Sequence, residues 1–470
     1  MAEPRPRQRK FAPRSRQGCL ICRTRRKRCD ALRPECQNCT RLNLKCEWQA
    51  PRQLIAESST SVAAQLTRTP SVTALTARPP IDSWDTLRSD ENAGGENLLQ
   101  YYVEAYVPSV SVATTPSSFY MHLYIPMAYE SEGMLDAILA LSSAQLARRI
   151  ADPERAHHLR DLSSKHQAKC HTYIQDRISP SGEALRDCYQ VIGMTLLLVG
   201  LEALKGTKSA NWLSQLHCVR TMLNTIHLSK TCTDHGTVDS LRRHFTYHNA
   251  MASLMARVTK KDAPLPMDRE IIPTFQPGIP LTIDPLMGIS YQLCTLISRI
   301  QYVTAPQPAF PLLAQAAFDL IEREITEWKY ESPLASTNID LPVALDLISL
   351  AEAYRLAALI QLYRSSDKHK PLVPSCASRT MEFISRIPPG STAESSLLYP
   401  IFLAGAELDD EAAIARCFKR LNEIQARNRY ENVGMVQEVL QEVWRPALNG
   451  GNKRDWEDVL KEWGWSLITC

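Results

Sequence analysis

The chain has 470 residues, 44% of them apolar and 22% charged, a globular balance that excludes a wholly disordered polypeptide. Its longest apolar run, Val191 to Leu201, is too short to span a bilayer, and basic residues 1–18 lack the apolar centre of a signal peptide. A soluble, intracellular protein with no membrane partner is therefore expected.

The net charge of +4 hides an asymmetry. Residues 1–50 hold 14 Lys and Arg against four acids, whereas the remaining 420 residues hold 40 bases and 46 acids. A short basic head on a mildly acidic body points to a polyanion as the partner of the head. Cysteine is divided in the same way: six of the 14 lie within Cys19–Cys46 and the other eight are scattered from Cys170 to Cys470.

In chain order, residues 1–18 carry Pro4, Pro6 and Pro13 among cations and read as a disordered basic arm. Residues 19–46 are the cysteine-dense block. Residues 47–96 read as a flexible linker, because 12 of the 37 residues in 54–90 are Ser or Thr and several prolines interrupt the rest. No heptad pattern is sustained across it, so no coiled coil is expected there. Residues 97–470 turn helical in texture. Met134, Leu135, Ile138, Leu139, Leu141 and Leu146 share one face of 132–150, and Ile414, Cys417, Phe418, Leu421 and Ile424 share one face of 410–427. Asp409, Asp410 and Glu411 suit that helix's N-terminus. A stripe through Val433, Val436, Val439, Leu440 and Val443 is predicted to stop at Pro446, and another through Trp456, Val459, Leu460 and Trp463 to start behind an Asp455 cap. Further helices are predicted at 155–177, 184–204, 211–228, 237–258, 284–304, 312–329 and 343–365. A proline-rich passage between Pro264 and Pro285 reads as an extended connection. The fold class is mainly α: a small cysteine module, a linker and a large all-α domain of roughly 370 residues.

The cysteine spacing is one unit, Cys-x2-Cys-x6-Cys, used twice: Cys19, Cys22 and Cys29, then Cys36, Cys39 and Cys46. So short a segment buries too little apolar surface to fold alone. Disulfides or a metal cluster remain, and the expected reducing compartment argues for metal. Zinc takes four thiolates in a tetrahedron. Two separate sites would need eight, but six suffice if two of them bridge both ions. Six thiolates and two zinc ions leave two negative charges. Arg23, Arg25, Arg26, Lys27 and Arg28 offset them and favour the thiolate form.

The block resembles the fungal binuclear zinc cluster family of transcription factors. The likeness rests on the six-cysteine spacing, the run CRTRRKRCD at 22–30 and Pro34. It implies zinc ligation by Cys19, Cys22, Cys29, Cys36, Cys39 and Cys46, with Cys19 and Cys36 bridging. It also implies base reading by Arg25 and Arg26 on CGG-like triplets in the major groove of double-stranded DNA. Arg replaces the Lys that many members have at the second position, and Arg is bidentate to guanine O6 and N7. Arg23, Lys27 and Arg28 are then expected on phosphates, because most protein–DNA hydrogen bonds go to the backbone. The same cations suit nuclear import.

The body is similar, less specifically, to the helical regulatory domain of the branch that includes acriflavine-sensitivity, arginine and GABA regulators. The likeness rests on MLDAILALSSAQLARR at 134–149, YPIFLAGAE at 399–407 and WEDVLKEWGW at 456–465. It implies a nuclear regulator of RNA polymerase II genes with coregulators as partners. If the protein pairs, the helical body is expected to supply the pairing surface. No phosphate loop, dinucleotide fingerprint, zinc-protease or nucleophile-elbow motif occurs, so no catalysis is expected. His157, His158, His166 and His171 cluster in sequence without sharing a tight helical face. The rival readings are an enzyme or metabolite-binding protein that carries the cluster for DNA tethering, and an RNA-binding module. The block lacks the interleaved aromatics that would stack unpaired bases.

Overall fold

The computed structural model describes residues 19, 22, 29–32 and 36–40 of the head, and 94–112, 118–178, 187–228, 235–258, 282–284, 286–304, 311–335, 339–448 and 450–469 of the body. The proposed arm, residues 47–93 of the proposed linker and most of the proline-rich passage lie outside the described residues; the linker's last three residues, 94–96, are instead the first turn of a helix. The chain divides into two compact units, Met1–Ser71 and Val72–Cys470.

The second unit is built from helices α1 (Gly94–Tyr101), α2 (Tyr124–Glu130), α3 (Glu132–Ala147), α4 (Pro153–Gln175), α5 (Cys188–Lys205), α6 (Asn211–Leu228), α7 (His235–Ala252) and α8 (Tyr291–Val303). It continues through α9 (Pro311–Thr326), α10 (Leu341–Tyr363), α11 (Val373–Arg386), α12 (Leu398–Ala406), α13 (Glu411–Asn428), α14 (Glu431–Leu448) and α15 (Trp456–Trp463). Short 3-10 and π turns fill several joints. Among the described residues the extended contacts are isolated bridges, Thr282 with Glu331 and Ile283 with Ser290.

Two helices lie deepest. In α3 nearly every residue from Met134 to Ala147 is buried, and α5 is buried almost continuously from Val191 to Leu204. Apolar side chains on all sides of a helix require neighbours on all sides, and α3 packs against α1, α2, α4 and α5. By length and composition α5 resembles a membrane span, yet 67% of it is buried inside this unit. A second layer forms where α10 packs against α11 and α12. One contiguous apolar core joins these layers, from Leu98 near the start of the body to Ile468 near its end.

The helix termini follow local chemistry. The Asp410 side chain accepts the Ala413 N–H at the start of α13, and Asp455 accepts the Glu457 N–H at the start of α15, as expected for acidic N-caps. Asp455 also receives a two-pronged contact from Arg364, whose other nitrogen meets Glu407. Trp456 packs edge-on against Phe402 and is 2% exposed, so the tail tryptophan at the head of α15 belongs to the core. One expectation fails: α14 does not stop at Pro446 but runs to Leu448. Proline removes one N–H from the ladder, a small loss in the last turn of a helix held along its whole length by buried valines. The 237–258 segment is α helix only to Ala252 and tightens to a 3-10 turn through Arg257. Helix α8 starts at Tyr291, later than predicted, behind a Ser290 cap.

Burial is not confined to apolar groups. His244 and His248 lie one turn apart on α7, 2% and 5% exposed, with their Nε2 atoms 2.9 Å apart. The Tyr124 hydroxyl meets His244 Nδ1, and the Phe119 ring stacks on His244. Burial pushes the His248 imidazole down to about 4; burial and then its neighbour hold His244 well below its ordinary value. The unfolded chain takes up a proton on each near pH 6.5, whereas folded His248 resists until about 4. Stability is therefore full above that window and declines as pH falls through it, by about 1.4 kcal/mol per pH unit per histidine. Thermal melts followed by helical circular dichroism are expected to show a lower midpoint at pH 5 than at pH 7, and His248→Phe is expected to flatten that slope.

Candidate metal centre and nucleic-acid interface

Four thiols of the first unit converge. Cys19, Cys22, Cys36 and Cys39 are 0% exposed, and their sulfurs all lie within 4.8 Å of one another. Cys19 Sγ is 3.7 Å from Cys36 Sγ and 3.7 Å from Cys39 Sγ, and Cys22 Sγ is 3.6 Å from Cys36 Sγ. A tetrahedral ion with zinc–sulfur bonds of about 2.3 Å spaces its ligands about 3.8 Å apart. The thiol separations therefore fit the edges of a zinc–thiolate tetrahedron and are far longer than a disulfide bond. Cys29, half-buried, joins from the other side and accepts N–H groups from Cys19 and Ala31 at 3.4 Å.

The backbone favours ionised sulfur at particular positions. Burial opposes ionisation of Cys19, but the Cys22 N–H, 3.4 Å from its sulfur, and the neighbouring thiols outweigh it and lower the Cys19 pKa. Cys36 is lowered in the same sense, against burial, by the Cys39 N–H and by Cys39 and Cys22. Cys22 is raised, by burial and by the crowd of sulfurs. Crowded thiols cannot all ionise without a cation, and zinc supplies that charge when bound.

A feature without a role in the sequence reading holds the two cysteine units in register. Asp30 Oδ2 accepts the Gln37 N–H at 2.9 Å. It thereby caps the short helix Gln37–Thr40, which carries Cys39 and starts just after Cys36. Ala31 adopts a left-handed φ of 58°, turning the chain between the halves. An Asp directly after the third cysteine and seven residues before a helix is the signal that was available. Cys46 and the cations Arg23, Arg25, Arg26, Lys27 and Arg28 lie outside the described residues. In the second unit the clustered histidines are parcelled out: His166 Nδ1 meets Asp136 at 2.6 Å and His157 meets Asp161 at 3.4 Å. Of the scattered cysteines, Cys170, Cys294 and Cys417 are buried, and burial pushes the Cys170 and Cys417 thiols up to about 12. They pack as small apolar side chains.

A thiolate cluster on a short basic segment, joined to a large all-helical body, defines a zinc-organised DNA-binding regulator. Comparison with known proteins places it. Residues 17–54 match the fungal Zn(2)-Cys(6) binuclear cluster domain, and residues 97–470 match the fungal specific transcription factor domain. The chain belongs to the fungal zinc-cluster transcription factors, DNA-binding regulators of transcription whose cluster holds two zinc ions. It is similar to the transcriptional activator protein UGA3 of Saccharomyces cerevisiae, at 20% identity over 96% of this chain and 97% of that protein. The zinc cluster transcription factor CZF1 of Candida albicans is 60% identical over 38 residues, 8% of this chain and 10% of that protein. The aspercryptin biosynthesis cluster-specific transcription regulator atnN of Emericella nidulans is 34% identical over 88 residues, 17% of this chain and 14% of that protein. No solved structure matches.

Asp30→Ala is expected to remove the cap and cost about 1 kcal/mol of the metal-loaded module's stability. The check is the chelator concentration at which zinc is released from the full chain, read by a colorimetric zinc indicator. The variant should release zinc at lower chelator concentration, and Asp30→Asn, which keeps the accepting oxygen, should stay close to the parent.

Proposed function

We propose that this chain is a nuclear, pathway-specific regulator that reads CGG-like triplets through Arg25 and Arg26, and that it acts without a catalytic step of its own. Cys19 and Cys36 would bridge the two ions, with Cys22 and Cys29 completing one tetrahedron and Cys39 and Cys46 the other. The observation that carries this reading is the central position of the Cys19 and Cys36 sulfurs. Cys19 Sγ stands 3.7 Å from both Cys36 and Cys39, and Cys36 Sγ 3.6 Å from Cys22. A bridging sulfur has to neighbour ligands of both halves, and these two do. Residues 19–46 form the DNA-binding module, 1–18 a basic arm, 47–93 a linker and the chain from Gly94 onward the regulatory body. The body pairs two copies of the chain and meets coregulators. The match of the whole chain to a transcriptional activator, together with the local match to a cluster-specific regulator, supports a pathway-specific role.

The bridging assignment is tested by native mass spectrometry of residues 1–96. Cys36→Ala is expected to release both zinc ions, whereas Cys22→Ala is expected to leave a species with one. Equal loss from the two variants would remove the distinction between bridging and terminal sulfur.

The DNA reading is tested by competition binding. Arg26→Ala is expected to weaken binding to a CGG site by about 1–3 kcal/mol relative to random DNA. Lys27→Ala is expected to weaken both alike and to flatten the salt dependence by about one ion. If Arg26→Ala lowers specific and random binding equally, Arg26 contacts phosphate.

A further inference from the structure

The body holds a partly open cavity of about 90 Å3, lined by the turn around Tyr106, the short segment at Phe119 and Tyr120, α5, α7 and residues within 394–398 and 428–433. Three features of its wall are poorly explained by packing alone.

The first is Gly200, in the middle of the buried helix α5. A Cβ placed there meets only the Tyr106 hydroxyl, at 3.8 Å. Glycine weakens a helix interior, and its φ here lies in the ordinary helical range, so neither backbone nor crowding demands it. The missing side chain leaves the cavity open. The second is the histidine pair. His244 and His248 sit in this wall with Nε2 atoms 2.9 Å apart, and the Tyr124 hydroxyl orients His244 from behind. Two imidazoles in place of two apolar residues are a polar expense in a core built mainly of aliphatic and aromatic side chains. The third is the π-helical turn Tyr102–Tyr106, closed by the Val107 N–H on the Tyr102 carbonyl. Turns of this kind are frequent at functional sites, and this one stacks Tyr102 on Tyr106 with centroids 5.2 Å apart.

The lining also defines what it will not hold. Among the described lining residues the only Asp, Glu, Lys or Arg is Glu394, and its carboxylate is already met by Arg420 and Arg427. That carboxylate, held by two guanidiniums, is not left free to balance a cation. Rings come from Tyr106, Tyr120, Phe119 and Tyr247, and hydrogen-bonding groups from Tyr430, Ser396 and Asn428. We propose that this cavity is a binding site for a small, uncharged ring compound carrying a hydrogen-bonding group. This goes beyond the DNA reading and does not rest on it. The cavity is on the scale of one six-membered ring, for comparison with an engineered cavity of about 150 Å3 that admits benzene.

The test uses the full chain and three probes of one shape and different charge: phenol, benzoate and benzylamine. Binding is read by saturation-transfer NMR of the probe. Phenol is expected to bind saturably, and the two charged probes at least about tenfold more weakly, since a buried charge finds no partner. Gly200→Ala is expected to raise the thermal midpoint in the absence of probe, because alanine improves the helix. The same substitution is expected to weaken phenol by about tenfold, because one added methyl occupies the site. Gly200→Leu, if it folds, abolishes phenol binding. Absence of saturable phenol binding by the parent chain overturns the proposal. So does benzoate or benzylamine binding as well as phenol, or a Gly200→Ala chain that is more stable yet binds phenol unchanged.

Discussion

A helix that is apolar on every side has to be covered on every side, and the body is organised around that constraint. Helices α3 and α5 carry it furthest, with buried residues at successive positions from Met134 to Ala147 and from Val191 to Leu204. Neither can lie at a surface, so other helices are laid over them, and these show the amphipathic stripes that covering helices need. α14, which packs on α5, buries Val433, Val436, Val439, Leu440 and Val443 along one stripe. The closing segment completes the cover. Trp212 donates its indole N–H to Ser466 at 2.9 Å, and Asn432 donates to the Ile468 carbonyl at 2.9 Å. Residues far apart in sequence thus close one core, which explains why the family match runs without a break from 97 to 470.

The first unit solves the opposite problem. Its described interior is sulfur: Cys19, Cys22, Cys36 and Cys39. Thiols at 3.6–3.7 Å gain little from dispersion and repel strongly once ionised. Their arrangement makes physical sense as a ligand set, in which a divalent cation supplies the attraction that a hydrophobic core supplies elsewhere. Asp30 then has a clear part. By capping the helix behind Cys36 it fixes the second pair of thiols relative to the first, so that less ordering is left to accompany metal binding.

How much of this was legible in the sequence depended on period and spacing. Long helices with regular stripes were readable to within a few residues: 132–150 against Glu132–Ala147, 211–228 against Asn211–Leu228, 410–427 against Glu411–Asn428. Helices α11 and α12 were not placed, because Pro374 and Pro400 sit near their starts, where proline is tolerated but reads as a break. The π turn at Tyr102 left no periodic trace. In the head, the metal chemistry was visible in the doubled Cys-x2-Cys-x6-Cys unit, since ligand type and spacing are sequence properties. The Asp30 brace was not, because a hydrogen bond to Gln37 depends on the turn at Ala31, whose left-handed φ a non-glycine residue does not announce. Of the histidines that stand out in the sequence, His157 pairs with Asp161 and His166 with Asp136. The pair that is buried, His244 and His248, looked like an ordinary polar interval on a helix.

The two units are therefore held by different forces and answer to different conditions. Sulfur ligation is sensitive to chelation and to oxidation of the thiols, and has little to do with the heat-capacity effects that govern apolar burial. The body is insensitive to chelators by the same reasoning, and its weak points are polar groups buried at a cost. Among these, Glu394 is offset by Arg420 and Arg427, and Arg364 by Glu407, Asp455 and Glu457. The histidine pair lies instead among a tyrosine hydroxyl, several aromatic rings and one another. A group paired with an opposite charge is kept for stability or geometry. A neutral polar pair kept beside an open space in an apolar core has a simpler rationale as a surface for something that enters that space. The open space at Gly200, beside that pair and an aromatic wall, is why the proposed small-molecule site is placed there rather than at either ion-pair cluster.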